Sequence, residues 1–141
     1  MLNHKTIRNI FITLFIILYS TAFYAKPVDS IKAKVVAENY YNFLKPAAKN
    51  VKISKVNTKN YKGITTRYTF VFDNNDFIIV SADDATVPVF GYSTKGNYND
   101  TIYNGNFEYW VQTEYDEWVA EVRQNNISNE KTLPYWNKIK L

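Results

Sequence analysis

The stretch Phe77-Ile78-Ile79-Val80-Ser81-Ala82-Asp83-Asp84 runs through Ala85-Thr86 into Val87-Pro88-Val89-Phe90-Gly91-Tyr92-Ser93, and its reading decides the fold. The first part is continuously apolar up to Ser81, the pattern of a strand buried on both faces, and predicts a strand over 77–82. Asp83-Asp84-Ala85-Thr86 turns the chain. A second strand over 87–93 follows, with Pro88 near its start, where a missing backbone donor costs least.

Outward from this pair, Ile64 to Phe72 alternates cleanly. Tyr68, Phe70 and Phe72 lie on one side and Arg67, Thr69 and Val71 on the other, which predicts a further strand. Asp73-Asn74-Asn75-Asp76 is a polar turn, and Asn74 or Asn75 tolerates the left-handed backbone such turns need. Val51 to Val56 alternates with Lys52 and Ser54 and reads as a short strand at an edge, where lysines discourage further pairing. Ahead of it, Asp29 or Ser30 caps a helix running to Leu44, with Ile31, Val35, Val36, Tyr40, Phe43 and Leu44 as its apolar face. Pro46 stops that helix.

On the C-terminal side, Lys95 to Asn106 reads as a loop. Asn104 or Asn106 then caps a long helix reaching Gln124, with Phe107, Trp110, Val111, Tyr115, Trp118, Val119 and Val122 as its apolar stripe. Asn125 to Leu141 reads as a polar tail carrying Pro134, Tyr135 and Trp136. The expected class is α+β: an antiparallel sheet of three to four strands flanked by an N-terminal and a long C-terminal helix.

Residues 1–25 have the layout of a secretory signal peptide. Lys5 and Arg8 precede an almost wholly apolar run from Ile10 to Phe23, with Ser20, Ala22 and Ala25 around the cleavage point. Cleavage after Ala25 is favoured because Lys26-Pro27 opens a polar mature sequence, although Phe23 is large for the −3 position, and cleavage after Ala22 is the alternative. The run falls short of the ~20 residues that span a bilayer, so an uncleaved anchor is the lesser reading. The expectation is a secreted or periplasmic protein with no membrane contact once the leader is gone. Residues 26–125 then form one domain and residues 126–141 the tail.

Charge divides unevenly along this mature chain. Lys26 to Lys62 holds nine lysines against Asp29 and Glu38, whereas Gly63 to Leu141 holds six basic against eleven acidic residues. The lysines are spread singly and no glycine-aromatic signature accompanies them, so they read as a solvated face and nucleic acid is not an expected partner.

Residue types exclude much chemistry. The chain has no cysteine, and its one histidine, His4, lies in the leader. Triads built on Ser-His-Asp or Cys-His lack their parts, as do zinc and haem sites. Asp73-x-Asn75 begins like a calcium loop but lacks the glycine and distal glutamate. Glu114, Glu117 and Glu121 share a helix face and read as solvated. No metal or cofactor is expected, and a binding role is favoured over an enzymatic one.

The central stretch, with Gly96 after it and helices on either side, resembles the Spi protease-inhibitor family, which also supplies propeptides of streptopain-type cysteine proteases. Phe77, Val80, Ser81, Asp83, Pro88, Gly91, Tyr92 and Ser93 carry the resemblance, mainly as builders of the fold. Asp76 departs from it, standing where glycine is frequent. The resemblance implies a stand-alone, monomeric inhibitor of a streptopain-type cysteine protease, blocking the active-site cleft non-covalently as a propeptide does. It also implies that Gly96 to Phe107 faces the enzyme, with Tyr98, Tyr103, Asn104, Asn106 and Phe107 as contact residues. Helix capping for the two asparagines and ordinary surface exposure for the two tyrosines are the competing structural roles. The other functional readings are an intermolecular chaperone or remnant propeptide of such a protease, and an exported surface-binding module.

Overall fold

The computed structural model describes residue 3 and residues 24–48, 50–95 and 109–140. Among these, α1 (Ser30–Leu44) precedes β1 (Ile53–Tyr61), β2 (Ile64–Phe72), β3 (Phe77–Ser81) and β4 (Val89–Ser93). A π-helical segment, Val111–Asp116, continues directly into α2 (Glu117–Gln124), and α3 (Leu133–Lys140) closes the chain. The strands form one antiparallel meander in the order β1-β2-β3-β4. The expected α+β architecture is therefore present, with four strands. No described helix is long and apolar enough to cross a membrane.

Local chemistry sets these boundaries. Asp29 caps α1 by accepting from the Lys32 N–H at 2.8 Å. Only Lys62 and Gly63 separate β1 from β2, and both take positive φ, 49° and 79°. That is the two-residue hairpin whose twist suits its strands, and Gly63 meets it without a Cβ penalty. In the next turn Asn75 is the left-handed residue, at φ 64°. β1 is the lysine-bearing edge expected, but it continues to Tyr61 because the tight hairpin keeps it paired with β2 to the end.

The main core lies on one face of the sheet. Tyr68, Phe70, Phe72, Ile78 and Val80 pack there against Ala33, Val36, Ala37 and Tyr41 of α1 and against Trp136 of α3. Tyr41 stacks on Phe72 with ring centroids 4.1 Å apart. The buried face of α1 matches the expected one in part: Val36 is buried and Tyr40 packs against the core. Ile31, Val35 and Phe43 are exposed, while small alanines point inward and let the helix lie close to the aromatic rings of β2.

Residues 126–141 also depart from expectation. The presumed polar tail contains α3, whose Trp136 is fully buried and donates its indole N–H to the Thr86 carbonyl at 2.8 Å. Asn39 of α1 donates to the Ile139 carbonyl at 2.9 Å, fixing α3 alongside α1. The opposite face of the sheet is covered by the π-helical segment and α2, through Val111, Tyr115 and Val119 packed with Phe90.

Candidate functional site

The quoted stretch forms β3, a turn and β4, and the turn joins separate parts of the chain. Ser81 Oγ is bonded to Thr86 Oγ1 across the turn and accepts from the Asp83 N–H at 3.1 Å. Asp83 accepts from the Ala85 N–H at 3.0 Å and pairs with Arg123 Nε of α2 at 2.9 Å. Burial pushes the Asp83 carboxyl above its usual range, against the lowering effect of the Ala85 N–H and Arg123. Asp84 turns elsewhere, accepting from the Lys26 N–H at 2.6 Å and from Asn129 Nδ2 at 2.8 Å. The two neighbouring aspartates therefore hold different partners and share none of the geometry of an acid–base pair. Phe77, Val80, Gly91, Tyr92 and Ser93 complete the two strands, Tyr92 meeting Tyr40 edge-on at 5.5 Å, whereas Val87 and Pro88 lie ahead of β4, which starts at Val89 and not at the expected 87.

Asp76 is a buried anchor. It accepts from Tyr41 Oη at 2.9 Å, Lys45 Nζ at 2.7 Å and Asn74 Nδ2 at 2.8 Å, tying the β2–β3 turn to the end of α1. Burial opposes its ionisation, yet these donors outweigh burial and hold its carboxyl below the usual range.

The second face carries the features that look outward. Two β-bulges aim side chains at adjacent residues of the π-helical segment. Phe90 is the extra residue of β4, between the pairs Val80↔Val89 and Ile79↔Gly91, and it stacks on Tyr115 at 3.8 Å. Thr66 is the extra residue of β2, between Lys59↔Arg67 and Asn60↔Thr65. Thr66 Oγ1 and Arg67 Nε both donate to Asp116 Oδ1, at 2.6 and 3.0 Å. Arg67 and Asp116 are buried, so the pair locks helix to sheet rather than serving solvent. Burial also pushes the Tyr115 phenol up to about 12.

Outside this lock runs a row of four rings. Trp110 stacks on Phe90 at 5.6 Å, Phe90 on Tyr115, and Tyr115 meets Trp118 edge-on at 5.9 Å. The outer two rings are the surprise: Trp110 is 50 % and Trp118 42 % exposed, although both belong to the expected apolar stripe. They edge a groove of about 730 Å³ whose lining includes Glu114, Glu117 and Glu121. The contact residues expected from the resemblance, Tyr98, Tyr103, Asn104, Asn106 and Phe107, lie outside the described residues. The described chain resumes at Tyr109, one residue before Trp110 in sequence.

A comparison with family models matches residues 25–118 to the Spi protease inhibitor family, which is two thirds of the chain. The chain belongs to the Spi protease inhibitor family. The matched span takes in α1, the whole meander, the π-helical segment and the start of α2, so it covers the sheet and both bulges. It stops ahead of α3, whose Trp136 nevertheless completes the core of this Spi-family member. No curated protein matches the chain, and no solved structure does. The groove was not singled out from sequence, because tryptophans at helical spacing read as core. The available signal was the pairing of Trp110 and Trp118 with Glu114 at intervals of four.

Proposed function

We propose that this protein is an exported, reversible inhibitor of a streptopain-type cysteine protease, closing the active-site cleft without covalent chemistry. The observation that carries the reading is the union of Spi-family membership with a chain lacking cysteine and holding its single histidine at position 4. Such a domain supplies neither nucleophile nor base, and inhibition by covering a cleft needs neither. Covering one takes an interface of order 1,600 Å². Trp110 and Trp118 are exposed and follow segment 96–107 in sequence, and aromatic anchors are the residue types that dominate such interfaces. The test is a titration of the exported protein against streptopain-type proteases, beginning with any encoded beside it. Tight-binding loss of activity, restored on dilution, is expected; no inhibition at micromolar concentration across several enzymes would overturn the reading.

Export follows from the leader, and the fold favours cleavage after Ala22 over cleavage after Ala25. Tyr24 bridges to Ser128, and the Ala25 N–H donates to the Ile127 carbonyl at 2.8 Å. Cutting after Ala25 discards both contacts, whereas cutting after Ala22 keeps them and places small Ser20 and Ala22 at the −3 and −1 positions. The intact mass of the exported protein is expected to correspond to a chain starting at Phe23. A mass starting at Lys26 would refute this.

A further inference from the structure

We propose that the groove between Trp110 and Trp118 receives an arginine side chain presented by the partner, an inference that rests on the inhibitor reading only for the partner's identity. The ring row leaves the two outermost indoles half in solvent, Trp110 stacked on the half-buried Phe90 and Trp118 meeting the buried Tyr115, which hold them in place. Rigid, exposed indoles offer flat apolar faces at little entropic cost on binding. Their groove is also negatively charged. Glu117 is engaged by Lys62 at 3.6 Å and by Tyr61 Oη at 3.4 Å. Glu114 and Glu121 line the same groove, and no cation among the described residues pairs with them.

A groove with aromatic faces and two uncompensated carboxylates selects a side chain that is flat, cationic and able to donate several hydrogen bonds. Arginine meets all three conditions: its guanidinium stacks on an indole while donating in a fork to a carboxylate. A lysine ammonium is a compact charge without the flat face, and an apolar side chain leaves the carboxylates unmatched. Charge complementarity therefore picks the occupant. Lys62 at the end of β1 also lines the groove, and it is already engaged with Glu117, leaving Glu114 and Glu121 to meet the incoming cation.

The experiment uses the indole N–H resonances of the ¹⁵N-labelled exported protein. Trp110 and Trp118 report the groove, and Trp136, fully buried and bonded to the Thr86 carbonyl, is the internal control. Titration with the capped peptide Gly-Arg-Gly is expected to move the Trp110 and Trp118 signals and leave Trp136 in place. The isosteric citrulline peptide, flat but uncharged, is expected to move none, and E114Q/E121Q is expected to abolish the arginine response while keeping the Trp136 signal of a folded chain. Equal shifts with citrulline, or an arginine response that survives in E114Q/E121Q, would overturn the proposal. Against an inhibited protease, E114Q/E121Q is expected to raise the inhibition constant about tenfold. Unchanged inhibition by that variant would sink the groove while leaving the inhibitor standing.

Discussion

Asp76 shows how one residue can replace a backbone solution with a side-chain one. Asn75 takes the left-handed conformation that the β2–β3 turn needs and frees position 76 for another task. The carboxylate then collects Tyr41, Lys45 and Asn74 around itself. Because its folded pKa lies below the ordinary carboxylate value, its contribution is present above about pH 3.9 and is lost as pH falls through the folded pKa. Asp83 has the opposite sign: burial raises its pKa, so its ionisation weakens the fold as pH rises. Asp76→Asn is therefore expected to cost about 1–3 kcal/mol at neutral pH. The gap to the wild-type protein should narrow as pH drops below the carboxylate range. Urea unfolding across a pH series measures this, and a gap that stays constant into strong acid would refute it.

At the scale of elements, legibility followed the regularity of the pattern. The alternation Tyr68-x-Phe70-x-Phe72 placed β2 to the residue, and the apolar run before Ser81 placed β3, because both strands sit inside the sheet where burial dictates every position. The two bulges were not readable, since an extra residue leaves composition unchanged and shifts only the register. The exposure of Trp110 and Trp118 was hidden for a related reason. An α-helical period assigns them inward, but the π-helical turn carries Tyr115 and Asp116 to the sheet side by side and leaves the tryptophans outside. Of the inward face of α1, Val36 and Tyr40 were legible, whereas Ala33 and Ala37 were not, because alanines count little in an apolar stripe; α3 was missed because one tryptophan in a polar stretch looks like a tail. Of the candidate site, the acidic helix face was legible and its aromatic frame was not.

The same reasoning yields a prediction about the π-helical turn. Deleting Thr113 removes its extra residue and rotates Tyr115 and Asp116 away from the bulges at Phe90 and Thr66. Arg67 is then buried without its carboxylate, and a loss of about 3 kcal/mol or more is expected, well beyond that of Thr113→Ala. Chemical denaturation of the two variants compares them directly. Equal stabilities would show that the π-helical turn does not serve the bulges.

Over the whole molecule, the two faces of the sheet divide the work. One holds α1 and α3 around the main core, and the turn after β3 gathers Lys26, Arg123, Asn129 and Trp136 into a single joint. The other presents a braced aromatic row, Trp110, Phe90, Tyr115 and Trp118. In this Spi-family member the stabilising contacts and the outward-facing groups therefore do not compete for the same residues. Of the residues that carry the family resemblance, Ser81 and Asp83 are buried in this joint and Gly91 is half-buried in β4, whereas Tyr92 is exposed. The central claim is reversible inhibition of a streptopain-type cysteine protease, and the most direct measurement is residual protease activity against increasing exported protein. The account predicts activity falling to zero near one equivalent and returning on dilution. Full activity at micromolar inhibitor across several such proteases would contradict it.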